Sequence, residues 1–216
     1  MIILNFKTYP KATGEGAVSL ASICQEVALE TGVKIAIALQ PTDIFRVAQQ
    51  IKIPIFAQHC DPASPGRHTG AVTALALKKA GASGVFLNHS EHNFFSFADL
   101  GFSIDLAKEQ ELETLVFVKD TKIALKADQF KPTYMALEEP SLISGGQAMV
   151  QLPENHELIR EFIGLIKATP LIGAGIKTRE DVFNSLKLGI KGVVLSSGFV
   201  KAENPKQVLQ SLCSAF

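Results

Sequence analysis

Side chains that could move a proton or hold an anion gather where short apolar segments of this chain end. They follow the first, fourth and sixth such segments: Asn5 and Lys7, then His89 and Glu91, then Glu138. An imidazole and a carboxylate are the groups that most often act in general acid–base catalysis, and a fixed cation stabilises negative charge that develops on a substrate. These residue types therefore predict an enzyme site, provided that the fold brings the segment ends together.

The apolar segments themselves predict strands that are buried on both faces. Eight of them follow one another along the chain: IILNF, KIAIAL, PIFAQ, GVFLNHS, TLVFV, TYMALE, PLIGAG and GVVLSSG. They lack the alternation of apolar and polar residues that a half-exposed strand shows. Such strands are typical of a parallel sheet that is covered by helices.

Segments with helical periodicity lie between the strands. We predict helices over residues 16–31, 42–50, 71–80, 97–110, 121–127, 155–168, 178–188 and 204–214. Start signals support two of them, because Thr178 precedes Asp181 by three residues and Pro205 follows Asn204. Eight strand–helix repeats without a linker predict an α/β fold, a single-domain (β/α)8 barrel over residues 1–216. The chain is short for this fold, so we expect trimmed helices or loops.

A barrel of this kind carries its chemistry at the carboxyl ends of its strands. Glu138 shares strand parity with Tyr134 and Ala136, which favours Glu138 over Glu139 as the carboxylate that faces the mouth. Strands seven and eight end in small-residue turns, Gly173-Ala174-Gly175 and Ser196-Ser197-Gly198. Backbone N–H groups in such turns can hold phosphate, and this corner is the usual phosphate site of the fold.

Composition excludes several classes of partner. The 21 basic and 21 acidic residues balance, so no net field favours nucleic acid or an anionic membrane. The N-terminal apolar run is too short for a secretion signal and no segment reaches the length of a membrane span, so we expect a cytoplasmic protein. The three cysteines are an odd number without a CxxC pair, which disfavours disulfides and structural zinc. His59, Cys60 and Asp61 are adjacent, but neighbouring strand residues point to opposite faces, so a metal site there is disfavoured.

Taken together, the motifs resemble one family. They are NFKTY (5–9), QHCDPASPGRHTG (58–70), LNHSE (87–91), ALEEPSLISGG (136–146), GAGIKT (173–178) and GVVLSSGFVKAENP (192–205). In this order they are similar to the short archaeal form of triosephosphate isomerase. The resemblance implies interconversion of dihydroxyacetone phosphate and glyceraldehyde 3-phosphate through an enediol(ate), in glycolysis and gluconeogenesis, with no metal or organic cofactor.

The resemblance also implies a role for each site residue. Glu138 matches the base, His89 the electrophile that polarises the carbonyl, Lys7 the cation near the substrate oxygens with Asn5 beside it, and Glu91 a supporting ion-pair position. In this family the imidazole is neutral and lies near a helix N-terminus, so we expect Ser90 and Glu91 to begin a turn and helix, with His92 exposed and incidental. The phosphate-binding residues would be Ile143, Ser144, Gly145, Gly173, Ala174, Gly175, Ser196 and Ser197.

Three positions depart from the family pattern. The second hinge of the lid over the phosphate reads Ser144-Gly145-Gly146 where Gly-Thr-Gly is usual, which could alter lid closure. Glu139 stands where the archaeal form tends to have proline. Phe117 stands where the family often has cysteine, which changes the packing beneath Glu138.

The resemblance further implies a homo-oligomer. Residues 59–70 are similar to the loop through which family members dimerise, and four phenylalanines in FFSFADLGF (94–102) lie in the region through which the archaeal form builds tetramers. Such clusters are more often core than interface, so dimer and tetramer both stay open.

Two other interpretations compete with the isomerase. An epimerase on a phosphate-binding barrel would need metal ligands at several strand ends, where this chain offers only His89 and Glu138 opposite Lys7. An inactive barrel that serves as a scaffold is compatible with the altered lid, but the intact Asn5, Lys7, His89 and Glu138 disfavour it.

Overall fold

Eight parallel strands form a closed barrel in a computed structural model that describes residues 1–94, 96–139, 148–173 and 175–216. The strands are β1 (Ile2–Asn5), β2 (Ile35–Leu39), β3 (Ile55–Ala57), β4 (Gly84–Leu87), β5 (Glu113–Val118), β6 (Tyr134–Leu137), β7 (Thr169–Ile172) and β8 (Gly192–Leu195). Each strand pairs with the next in the chain, and β8 returns to pair with β1. The predicted (β/α)8 barrel is confirmed.

Helices follow the strands on the outside of the barrel. They are α1 (Glu15–Thr31), α2 (Pro41–Ala48), α3 (Ala74–Ala80), α4 (Phe97–Glu109), α5 (Thr121–Asp128), α6 (Asn155–Leu165), α7 (Arg179–Lys187), α8 (Ser197–Val200) and α9 (Pro205–Cys213). All eight predicted helices are present. Five of them have only seven to nine residues, which confirms the expected trimming. The sequence does not predict the short α8, and β8 ends three residues before the GVVLSSG segment does.

Both predicted helix start signals form N-caps in the structure. At α7, the Thr178 side chain accepts the Asp181 N–H, while the Asp181 carboxylate accepts the Thr178 N–H. At α9, the Asn204 side chain accepts the Gln207 N–H and Pro205 occupies the first helical position. Each cap satisfies backbone donors that a helix leaves without an internal partner.

Two apolar layers enclose the strands. Residues of one strand parity pack between the barrel and the helices, and residues of the other parity fill the barrel interior. The interior combines large rings on β3, β4 and β5 with small side chains on β2 and β6: Phe56, Phe86 and Phe117 with Ala36, Ala38 and Ala136. Rings therefore fill the volume that the alanines leave, as close packing requires.

The parity prediction for β6 is confirmed. Tyr134 and Ala136 lie in the interior cluster, whereas Met135 and Leu137 belong to the outer one. The next residue of the inward set is Glu138, at the carboxyl end of the barrel. Within the part of the chain that the structure describes, no helix is long and apolar enough to cross a membrane.

Candidate active site

Glu138 lies at the barrel mouth, seated between β5 and β7. Its backbone N–H donates to the Val118 carbonyl at 2.9 Å, which continues the β5–β6 ladder by one residue. The residue is 9% exposed, and its Oε2 lies 3.5 Å from Nε2 of His89. A Cβ atom built on Gly173, at the end of β7, would lie only 2.6 Å from Glu138 Oε1. Gly173 therefore leaves the space that the carboxylate occupies.

Asn88 explains how His89 reaches the mouth. Leu87 packs in the outer layer, so simple alternation would leave His89 on the outward parity as well. Asn88 has a φ of 59°, a left-handed conformation that asparagine tolerates and that redirects the chain after β4. Its side chain holds this conformation, because it donates to the Phe117 carbonyl at 3.0 Å and accepts the Phe94 N–H at 3.3 Å. The sequence did not identify Asn88 as part of the site.

The tautomer of His89 follows from one hydrogen bond. The Glu91 backbone N–H donates to Nδ1 of His89 at 3.1 Å. Because an amide N–H can only donate, Nδ1 must be the acceptor, and the neutral ring carries its proton on Nε2. That nitrogen is the one directed at Glu138.

His89 is neutral at pH 7. Its pKa is lowered to about 4, chiefly by burial; the Glu91 carboxylate acts in the opposite direction and nearby Lys7 adds a smaller lowering. Burial is the largest of these causes because a charged ring would lose hydration that the pocket does not replace. The site thus presents a neutral imidazole donor beside a carboxylate.

The segment after His89 is a turn and not the start of a helix. The His92 N–H donates to the His89 carbonyl at 2.8 Å, and α4 begins only at Phe97. The prediction that Ser90 and Glu91 begin a helix is wrong, because the turn closes on itself and Ser96 supplies the cap of α4. The donor to the imidazole is therefore a turn amide. His92 is exposed as predicted, but it is not incidental: its ring stacks on His59 with centroids 3.8 Å apart.

Lys7 is fixed from both ends. Its φ is 48°, and its N–H donates to Asn5 Oδ1 at 3.0 Å, so backbone and side chain of the β1 end lock each other. Its Nζ lies 2.7 Å from Glu91 Oε1, in an ion pair where the Lys7 side chain is 16% exposed. Gln58, another residue that sequence reasoning did not single out, donates to Asn5 Oδ1 at 3.3 Å and to the Lys7 carbonyl at 3.0 Å.

A cavity of about 60 Å³ brings most of the predicted residues together. Its lining includes seven of them: Asn5, Lys7, His89, Glu138, Gly175, Ser196 and Ser197. Gly175 has a φ of 83°, which glycine adopts without strain. Four predicted phosphate-binding residues lie outside the described part of the chain, and the lid hinge lies there with them: Ile143, Ser144, Gly145 and Ala174.

The sequence-adjacent His59, Cys60 and Asp61 do not form a metal centre. His59 Nε2 lies 3.4 Å from Asp61 Oδ1, while Cys60 is buried and burial raises the pKa of its thiol to about 12. Across the described residues, no three histidine, cysteine or acidic side chains are grouped as a metal ion would require.

A carboxylate and a neutral imidazole donor face one small cavity at the carboxyl end of a closed parallel barrel, which is where enzymes of this barrel class carry their chemistry. Comparison with known proteins specifies the family. The family model described as triosephosphate isomerase matches residues 1–215. The chain belongs to this family and is an intramolecular aldose–ketose isomerase.

Individual relatives agree. Triosephosphate isomerase of Methanosarcina acetivorans is 39% identical over 98% of this chain and 96% of its own length. The enzyme of Methanothermobacter thermautotrophicus is also 39% identical, over 99% and 94%. The crystal structure of triosephosphate isomerase from Bartonella henselae superimposes with a TM-score of 0.74 at 18% identity, covering 99% of this chain and 97% of that one. At that identity the structure supports the fold alone.

Proposed function

We propose that the chain interconverts dihydroxyacetone phosphate and D-glyceraldehyde 3-phosphate, in glycolysis and gluconeogenesis. The named activity of its archaeal relatives supports this substrate pair. The observation that carries the mechanism is the 3.5 Å approach of the Glu138 carboxylate to the protonated Nε2 of His89. A base and a hydrogen-bond donor this close can act on adjacent atoms of one small substrate.

Glu138 acts as the base in this proposal. Its carboxylate takes a proton from the hydroxyl-bearing carbon of dihydroxyacetone phosphate next to the carbonyl. The C–H electron pair becomes the carbon–carbon double bond of an enediol(ate), and the carbonyl π pair moves onto its oxygen. His89 Nε2–H donates to the oxygen on which negative charge develops, and Lys7 adds a fixed positive charge. Glu138 then returns the proton to the neighbouring carbon, while the hydroxyl proton of the first carbon passes, by way of His89, to the oxygen that carried the negative charge. This yields the aldehyde without net change in the enzyme.

The neutral imidazole suits this role. A ring whose pKa is about 4 donates a hydrogen bond at pH 7 without carrying a charge that would pair with Glu138. An imidazolium beside the carboxylate would lower the basicity of the base. Asn88 and the Glu91 N–H hold the ring in the required orientation and tautomer.

The phosphate group would occupy the corner formed by the ends of β7 and β8. Gly175, Ser196 and Ser197 line the same small cavity as the acid–base pair, so one triose phosphate can reach both. Gly173 sits beside Glu138, and its role as a phosphate ligand stays a prediction, as do the roles of Ile143, Ser144, Gly145 and Ala174.

A coupled assay tests the proposal. We expect purified protein to isomerise glyceraldehyde 3-phosphate in the presence of a metal chelator, and Glu138→Gln to abolish this activity. Glu113→Gln is the matched control, because Glu113 begins β5 at the opposite end of the barrel and accepts a hydrogen bond from Tyr134. An inactive wild type whose melting temperature still rises with a phosphoglycolate-type analogue would contradict the isomerase and favour the scaffold.

We also propose that the protein is a homodimer through residues 59–70. The base of this loop is closed by Asp61, whose N–H donates to the Val72 carbonyl at 2.9 Å and whose Oδ2 accepts the Val72 N–H at 2.6 Å. Residues 64–70 beyond it are all exposed. A rigid base with an exposed tip is suited to insertion into a second subunit.

A second contact through α4 and α5 would make a tetramer. Phe97 and Phe102 of α4 are 37% and 46% exposed, and Leu125 of α5 is 51% exposed. Large apolar side chains grouped on neighbouring helices are typical of interaction surfaces. Of the other two phenylalanines in 94–102, Phe94 packs against the core and Phe95 lies outside the described residues.

A further inference from the structure

The His89 ring packs against Phe117, the residue that stands where the family often has cysteine. The rings of Phe117 and His89 have centroids 4.8 Å apart and an interplanar angle of 75°. This edge-to-face arrangement is one that aromatic pairs prefer. Phe117 is 2% exposed and His89 is 7% exposed, so the contact between the two rings is buried.

Phe117 is itself firmly held. Its ring packs on Phe86 with centroids 4.9 Å apart, and Phe86 in turn packs on Phe56 at 5.8 Å. Phe117 lies opposite Ala136 in the β5–β6 register, where the small side chain leaves room for the ring. A column of aromatic rings therefore rises through the barrel interior and ends at the imidazole.

The backbone of Phe117 reaches the same segment. Its carbonyl accepts the Asn88 side-chain amide at 3.0 Å, and Asn88 is the residue whose left-handed φ directs His89 into the mouth. Ring and carbonyl of one residue thus contact both the imidazole and the residue that places it. No other residue of β5 makes both contacts in the described structure.

We infer that Phe117 is a positioning residue, which orients the His89 imidazole so that Nε2 faces the substrate oxygen and shields the ring from water. This inference rests on the proposed role of His89. Phe117 acts through His89, so the inference does not require that Phe117 touch the substrate. The lowered pKa of His89, caused chiefly by burial, agrees with the shielding.

The test compares Phe117→Leu with Phe56→Leu. Both remove a buried interior ring, but Phe56 packs on Phe86 and Tyr134 and not on the imidazole. Each variant is measured for melting temperature, kcat, KM and the titration of His89 by NMR. His89 is one of five histidines, and its signal is assigned by comparison with His89→Gln.

We expect similar losses of melting temperature in the two variants and different effects on His89. In Phe117→Leu, kcat should fall about tenfold or more with KM nearly unchanged, and the pKa of His89 should rise by about half a unit or more toward its ordinary value. Phe56→Leu should change both far less, because Phe56 reaches Phe117 only through Phe86. If Phe117→Leu is too unstable to purify, Phe117→Met fills similar volume without the ring and replaces it.

Equal kcat and equal His89 titration in the two variants would overturn the inference and leave Phe117 as interior packing. The NMR measurement needs no turnover, so it separates this failure from failure of the proposed function. If the proposed function fails, the wild type is inactive in the coupled assay, and the His89 pKa of Phe117→Leu can still be measured.

Discussion

The length of one side chain decides whether Glu138 can act as a base. Its carboxylate is held between Gly173 and the His89 ring, so shortening it by one methylene withdraws the oxygens from the cavity while the phosphate corner stays intact. We expect Glu138→Asp to lower kcat by about 100-fold or more and to change KM by less than about threefold. Steady-state kinetics at saturating substrate measure this, and a wild-type kcat would assign the base elsewhere.

His89 makes stability depend on pH. Its pKa is about 4 in the folded protein and near 6.5 when unfolded, so between these values the unfolded chain binds the extra proton. This contribution is therefore present above pH 6.5 and is lost as pH falls toward 4. Between pH 7.5 and 5 we expect it to remove about 2 kcal/mol of unfolding free energy.

Urea unfolding of wild type and His89→Gln at the two pH values measures this loss. Wild type should lose more stability than the variant, at equal protein concentration. His59, whose pKa burial also lowers, contributes with the same sign to both proteins and so cancels in the comparison. An equal loss in the two proteins would show that His89 is not held neutral.

The residues that the sequence identified and those that it missed differ in how their roles arise. Asn5, Lys7, His89 and Glu138 lie at or just after the ends of apolar segments, so strand ends were enough to mark them, and parity favoured Glu138 over Glu139. Asn88 acts through its positive φ, and no residue type in the neighbouring sequence indicates that the chain adopts this conformation there. Gln58 acts by hydrogen bonds to a segment 51–53 residues away in the chain, and this contact exists only after the barrel closes.

At the scale of elements, the end of β7 determines the space available to the end of β6. Gly173 N–H donates to the Leu137 carbonyl at 3.0 Å, which places this residue directly beside Glu138. We expect Gly173→Ala to lower kcat by about tenfold or more, because the added Cβ must displace the carboxylate. Its melting temperature should fall by only a few degrees.

Gly164→Ala is the matched control for that substitution. Gly164 lies in α6, and a Cβ there would meet no atom within 4 Å. Alanine in a helix interior should raise stability slightly and leave kcat unchanged. If Gly173→Ala also kept full kcat, the carboxylate would not need the position in which it lies.

The same scale shows what a sequence pattern can predict. Strands without alternation and helices with start signals can be identified because burial on two faces and capping leave clear residue patterns. The four-residue α8 leaves none, since it is too short for helical periodicity and its Ser196 N-cap makes no side-chain cap bond. The turn at 89–92 cannot be told from a helix start in the sequence, because His92 closes it through the backbone alone.

At the scale of the whole molecule, the loop of residues 59–70 would link the proposed dimer interface to the turn that carries His89. His59 stacks on His92, and His92 bonds to the carbonyl of His89. A subunit that packs against this loop would therefore also support the segment that carries the imidazole. Residues 64–70, the exposed tip of the loop, bury no apolar side chain within one subunit. The neighbouring Ala63, at the base of the tip, is buried.

Replacing residues 64–70 by a short Gly-Ser turn should therefore yield a folded monomer with reduced activity. The barrel strands and the closure between Asp61 and Val72 stay intact, so circular dichroism and the melting transition should persist. Analytical ultracentrifugation gives the mass, and Phe102→Lys on α4 is the parallel variant for the second interface. A tetrameric wild type should become a dimer with Phe102→Lys, whereas a wild type that is already monomeric would contradict both proposed interfaces.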